Sequence, residues 1–371
     1  MDKRAVIFIE ESFLKPLLED KDTTDISYNG KDIYYFNSKF GRQKSDIVIS
    51  QEEVKAFLRH LANICEQQFS YTNPLLDISL GKYRVNATFN SIARMNNTKV
   101  FTFSIRIAST EIKITPNSYF LDDNLVSLFN VLLDNKISIV IGGITGSGKT
   151  ELQKYLISSL ETKTRIIIID NVLELDSIGA FSHLDLNIWQ SDDRNSYSNI
   201  QSLVKNALRN NPDWIIVAES RGAEMIEILN SVMTGHPIIT TIHSYDGKSI
   251  PSRMSRMVMM NDKKMDYEDI YFDICHHFKI AVYLDRKIVN GNVIRYIKEI
   301  IEISNNGEHN TIYVNDGKKK KYFPLKHELK QRLIDVEEEV FAKTFVKGEW
   351  YGDYFIYLYL YIIRLSHFLL Y

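Results

Sequence analysis

The run IGGITGSGKT, residues 141–150, decides how the rest of this chain is read. Gly143, four residues, Gly148, Lys149 and Thr150 stand at the spacing of a phosphate-binding loop. KISIVIG before it is strand-like and KTELQKYLISSL after it is helix-like, the context such a loop needs. Glycines let backbone approach a phosphate and adopt the dihedrals of a tight turn. Successive amide N–H groups at the helix N-terminus then converge on a β-phosphate. Gly143, Ile144, Thr145, Gly146, Ser147, Gly148, Lys149 and Thr150 are therefore the expected nucleotide-binding residues. Lys149 is expected to neutralise β- and γ-phosphate oxygens, and the Thr150 hydroxyl to ligate Mg²⁺. The motif alone does not separate a small-molecule kinase from a GTPase or a motor.

Around the loop, KISIVIGG, TRIIIID, DWIIVAE and PIITTIH are compact and almost continuously apolar. Such runs suit strands buried on both faces of a mostly parallel sheet. Helix-like segments alternate with them, so the expected fold is α/β: a RecA-like nucleotide-binding domain over residues 121–305. Residues 1–108 read as a smaller α+β domain. There DIVISQEEVKAFLRHLANICEQQF opens as a strand, passes Ser50 and Glu53 as a capping box, and places Val54, Phe57, Leu58, Leu61, Ile64 and Cys65 at helical spacing. KYRVNATFN and KVFTFSIRI alternate like half-buried strands. Residues 109–120 carry Pro116 without a period and read as a linker, followed by a helix from Asp122 to about Asn135. Residues 306–371 read as an extension, in which KKKK at 318–321 is a solvated turn.

The 371 residues suffice for two domains, and 44% apolar content lets each bury a core. A net charge of -2 supplies no basic field, so direct nucleic-acid binding is not expected. Cys65 and Cys275 give neither a disulfide framework nor metal-ligand spacing, which fits a reducing cytosol. The opening MDKRAVIFIEESFLKPLLED does not read as a secretory leader, because Glu10 and Glu11 interrupt it.

Ligands of open α/β sheets sit beyond the carboxyl ends of the strands. RIIIID ends in Asp170, DWIIVAE in Glu219 and PIITTIH in His243. Glu219 can orient or deprotonate an attacking water. Asp170 can hold a Mg²⁺-bound water or share that task, and His243 can sense a γ-phosphate.

NPDWIIVAESRGAE followed by MTGHPIITTIH resembles the secretion and traffic ATPases of type II and type IV secretion systems, which include pilus and conjugation motors. The family's boxes correspond to Gly143–Thr150, Asp170–Glu174, Asp213–Glu219 and Gly235–His243, the last with His236 and His243 as its two histidines. DKDTTDISYNG, the arginine-bearing strands, and FKIAVYLDRKIVNGNVIRYIKEIIEI extend the likeness over about residues 14–305. The resemblance implies a homo-hexameric, ATP- and Mg²⁺-dependent ATPase at the cytoplasmic face of a membrane, acting on a membrane-embedded secretion or pilus platform. It also implies that Arg84 and Arg106 reach the phosphates, with Arg94 a further candidate. Arg221 matches another family position and can instead pair with Glu174 or Glu224.

Two departures stand out. The family's acidic box begins Glu-Asp, whereas Asp170-Asn171 stand here, with Glu174 as its last acid. Ala218 replaces the glycine that precedes the Walker B glutamate. Slow hydrolysis is expected, with a nucleotide-binding scaffold lacking turnover as the alternative. Beyond the likeness, Phe355, Leu358, Ile362, Leu365 and Leu369 form a helical stripe, expected to pack on protein or touch a membrane surface.

Overall fold

The computed structural model describes residues 3–109, 111–176, 179–192, 195–261 and 265–348. The expected aromatic helix over 355–369 lies outside them. The chain forms two compact units. The first holds the residues up to Glu111 together with two short pieces from later in the chain, Val172–Asp176 and Lys287–Ile294. The second holds the rest, starting at Ile112.

The first unit begins with helices α1 (Lys3–Glu10) and α2 (Lys15–Leu18). Strands β1 (Thr23–Tyr28), β2 (Ile33–Asn37) and β3 (Gly41–Lys44) precede helix α3 (Gln51–Ile64). Then come β4 (Leu75–Leu80), β5 (Tyr83–Thr88), the two-residue strands β6 (Arg94–Met95) and β7 (Thr98–Lys99), and β8 (Thr102–Ile107). β6 and β7 pair only with each other; the other six form an antiparallel sheet in the order β3-β2-β1-β8-β5-β4. Ser50 and Glu53 close the capping box on α3, which satisfies amides that would otherwise cost about 1 kcal/mol. Val54, Phe57, Leu58 and Leu61 are buried in one cluster with Ile26, Val85 and Ile105 of the sheet.

One expectation fails here. DIVI at 46–49 is not a strand. Ser45 N donates the last bond to Ile33 O, and Ile47 and Ile49 then pack on the core while Val48 is exposed. The alternation is real, but no neighbouring strand takes up the backbone.

The second unit starts with α4 (Asp123–Asp134), whose cap Asp122 accepts from Leu125 N. Then follow β9 (Ile139–Gly143), α5 (Lys149–Ser158), β10 (Arg165–Asp170), β11 (Asp185–Gln190), α6 (Ile200–Ala207), β12 (Trp214–Val217), α7 (Met225–Met233) and β13 (Ile238–Ile242). Helices α8 (Ile250–Val258) and α9 (Tyr267–His277) precede β14 (Ile280–Val289), β15 (Asn292–Ile303), β16 (His309–Asn315) and β17 (Lys320–Tyr322). The short helices α10 (Glu328–Arg332) and α11 (Glu339–Phe341) end the described chain, α11 running into a π-helical turn. The sheet order is β11-β10-β12-β13-β9-β14-β15-β16-β17, and its first six strands are parallel. β9, β12 and β13 are buried at every residue, as their unbroken apolar runs require. α6 to α9 pack on one face through Val204, Ile228, Met254 and Ile274.

The sheet does not stop near residue 305. β16 and β17 extend it antiparallel. Lys318 and Lys319 form the exposed turn expected of the KKKK run, and β17 begins at half-buried Lys320. Its ammonium pairs with Asp122 at 2.6 Å, and the Tyr322 hydroxyl donates to the same carboxylate. Fully buried Glu302 then accepts from Lys326 N and His327 N, each at 2.9 Å, and from Asn310 Nδ2 at 3.0 Å. These bonds fix the segment that follows β17.

A Cβ on Gly142, near the end of β9, would lie 2.2 Å from Ser244 Oγ and 2.7 Å from Ile250 Cδ1. Gly142→Ala is expected to lower stability by about 1–3 kcal/mol through overpacking. Gly179→Ala, with nothing within 4 Å of the new atom, should change it by less than about 0.5 kcal/mol. Urea unfolding midpoints at unchanged m-value check both.

Candidate active site

β9 delivers the chain into the glycine loop, and α5 carries it away. Gly146 at φ +72° and Gly148 at φ +99° occupy the left-handed region, which explains both glycines. A Cβ on Gly143 would lie 2.6 Å from Leu284 O and from Ser147 Oγ, so close packing requires that one. Lys149 is almost wholly buried. Its ammonium donates to Gly143 O at 3.1 Å and to Ile144 O at 3.3 Å. Buried Ser147 keeps a hydroxyl with no hydrogen-bond partner among the described residues. Thr150 lies in the first turn of α5. A glycine cradle, a buried ammonium and two hydroxyls fit a polyphosphate with its divalent cation.

The parallel strands bring further groups to this edge. His243 follows β13, and its Nδ1 stands 3.5 Å from Lys149 Nζ. An ammonium can only donate, so any hydrogen bond across this contact has Nδ1 as its acceptor. The ring's Nε2 lies 2.9 Å from Glu219 Oε1. The approach falls outside hydrogen-bond angles, and this buried oxygen has no hydrogen-bond donor among the described residues. The other carboxylate oxygen, Oε2, accepts from Arg221 Nε at 2.9 Å and Nη2 at 2.6 Å. Lys149, His243, Glu219 and Arg221 thus form one polar chain. Asp170 ends β10 at the same edge, buried and next to β12, whose neighbour Ala218 donates to Ile169 O.

Burial pushes the Glu219 carboxyl up. Arg221, with help from His243 and Lys149, more than offsets this and holds it below the usual carboxylate value. Burial and then the Lys149 charge depress the His243 imidazole, against the pull of Glu219.

Other sequence candidates are placed differently. His236 precedes β13 and so stands at the strand's opposite end from His243, with Nδ1 3.2 Å from Thr234 Oγ1. Five residues of strand, about 3.3 Å each, separate the two rings. It is not part of the polar chain. Arg221 pairs through its guanidinium with Glu219, and its backbone N–H donates to Glu224. Arg84 and Arg106 belong to the first unit, directly opposite one another on β5 and β8. Arg84 pairs with Asp77 at 3.2 Å, and Arg106 lies 3.6 Å from Asp25 and 3.5 Å from Glu174.

Two contributors escape a reading of the sequence. Gln153, fully buried in α5, donates through Nε2 to Val217 O at 3.0 Å and Ile239 O at 3.2 Å. It ties the loop's helix to the strands that end at Glu219 and His243. Arg295 of β15 donates to Gly146 O at 2.9 Å. Neither has a local signal: α5 is buried nearly all round, and Arg295 sits in β15, far along the chain from the loop it meets.

Residues 87–312 match the family model described as type II/IV secretion system protein, and the chain belongs to that family. An uncharacterised Bacillus anthracis protein is 28% identical over 308 residues, covering 79% of this chain and 68% of its own. The type IV secretion system protein PtlH of Bordetella pertussis is 24% identical, covering 78% and 93%. Among solved structures, the Legionella pneumophila ATPase DotB superposes with a TM-score of 0.58 over 80% of each chain at 20% identity, a likeness of fold.

His243 should titrate below an ordinary histidine. Lys149→Met, which removes the nearby positive charge, is expected to raise its midpoint. Glu219→Gln, which removes the negative one, should lower it further. Histidine side-chain NMR between pH 4.5 and 8 reads both signs.

Proposed function

We propose that this chain is an ATP-hydrolysing motor for type IV secretion, conjugative transfer or pilus assembly. The observation that carries the reading is the polar chain Lys149–His243–Glu219–Arg221 beside the glycine loop. Lys149 exchanges the carbonyls of Gly143 and Ile144 for phosphate oxygens. Thr150 would ligate Mg²⁺ and Asp170 would hold one of its bound waters; the ion would supply neutralising charge beside the phosphates. Glu219 meets the attacking water through Oε1. Its lowered pKa suits a group that orients the water more than one that takes its proton early. His243 touches the lysine with one nitrogen and faces the glutamate with the other. It is therefore suited to report whether Lys149 is engaged.

The same reading makes the chain a homo-hexamer at the cytoplasmic face of a membrane, working against a membrane-embedded platform. Among the described residues, no helix is long and apolar enough to cross a bilayer. Arg84 and Arg106, side by side on the first unit's sheet, supply the charge that completes the site. Two like charges opposite one another are unfavourable alone, and their carboxylate partners are ones a triphosphate can replace. The relatives' names, type IV secretion and conjugal transfer, support the choice of machinery.

Lys149→Ala should abolish Mg-ATP binding and phosphate release. Glu219→Gln should still bind Mg-ATP while phosphate release falls by about 10²-fold or more. Parental ATPase rates in both variants overturn the mechanism. A parent chain that binds Mg-ATP but releases no phosphate is a nucleotide-dependent scaffold instead.

A further inference from the structure

Two arginines of the β14–β15 hairpin stand against the glycine loop. Arg295 Nε donates to Gly146 O at 2.9 Å, and its Cδ would meet a Cβ on Gly148 at 3.6 Å, beside Phe120. Arg286 Nη1 lies 2.9 Å from the position a Cβ would take on Gly146. A guanidinium thus fills the space that a side chain at the crest of the loop would need.

A trans peptide points its carbonyl and the following N–H in opposite directions. Arg295 holds the Gly146 carbonyl away from the loop. The Ser147 N–H consequently turns inward, where it donates to Ile144 O at 3.3 Å. This amide is of the kind that a phosphate-binding loop directs at its ligand. The two arginines are close enough for the charge of Arg286 to bear on Arg295, which burial already disfavours, while Glu151 acts the other way. Neighbouring cations repel, and an anion lodged in the loop relieves that repulsion.

We propose that Arg295 is a positioning residue for the glycine loop, holding the Gly146–Ser147 peptide with its amide toward the β-phosphate of a nucleoside di- or triphosphate, and that Arg286 completes the same wall. This rests on the nucleotide reading of the loop. The role falls on the shape of the cradle and not on the chemical step. ATP and ADP, which both carry a β-phosphate, should therefore suffer equally when it is lost.

The test compares the parent, Arg295→Met, Arg295→Lys and Lys149→Ala in the full chain. Calorimetric titration with Mg-ADP and Mg-ATP is read beside KM, kcat and the melting midpoint. Arg295→Met should weaken both nucleotides about tenfold and raise KM in proportion, the loss of one charge-assisted bond. Its kcat should stay within about twofold, since an interaction made equally in ground and transition states appears in KM. Arg295→Lys, whose ammonium can reach the same carbonyl, should recover most of the affinity. Without nucleotide, amide exchange across residues 143–148 should quicken in Arg295→Met while the melting midpoint holds. Parental affinity and parental loop exchange in Arg295→Met overturn the proposal. If Lys149→Ala has meanwhile lost binding, the nucleotide reading survives that result. A parent that binds neither nucleotide overturns both. Should Arg295→Met fail to fold, Arg295→Leu, which likewise cannot donate, takes its place, and parental affinities there overturn the role.

Discussion

The shared direction of the strands is the constraint on which the site depends. β10, β12, β13 and β9 run parallel, so their carboxyl ends, and the residues just beyond them, emerge along one edge. The ladder between β12 and β13 runs out at Val217 and Thr240. Short polar bonds then take over. Thr241 Oγ1 donates to Ala218 O, Ser220 N donates to Thr241 O, and the hydroxyls of Ser220 and Thr240 meet at 2.8 Å. Glu219 is therefore carried on backbone held on both sides of it. Gln153 adds a tie from the loop's own helix to both strands. A shift of any one of these elements would separate Lys149 from its neighbours.

Charge gives the polar chain a direction. Lys149 and Arg221 stand at its two ends, with His243 and Glu219 between them. The lysine lowers the histidine and the carboxylate raises it, so the imidazole responds to the state of both. A ligand that draws the ammonium away from Nδ1 alters the ring facing Glu219. In this arrangement a change at Lys149 reaches Glu219 through one side chain.

Much of this was legible in the sequence because it rested on local signals. Unbroken apolar runs gave the buried parallel strands, glycine spacing gave the loop, and the residue after each run gave Asp170, Glu219 and His243. The capping box of α3 was equally local. The failures have the opposite character. DIVI alternates as a strand does, but whether a partner lies beside it is a tertiary fact. Lys320 alone leaves the solvated lysine run, because Asp122, about two hundred residues earlier, supplies a counter-charge. His236 was grouped with His243 by family likeness, yet a strand's length keeps the rings apart. Gln153 and Arg295 act through backbone carbonyls, and no pattern of side-chain types announces such a bond.

The first unit's two late pieces, Val172–Asp176 and Lys287–Ile294, carry a consequence for dissecting the chain. The polypeptide passes between the units five times, at 111/112, 171/172, 176/177, 286/287 and 294/295, instead of once. A fragment stopping at residue 111 would lack two strips of its own fold, including Val293, whose N–H bonds Lys39 O. A fragment starting at 112 would retain those strips with their natural partners deleted. The unit boundary is a stitched seam, and scissors applied at the linker alone do not yield two intact halves.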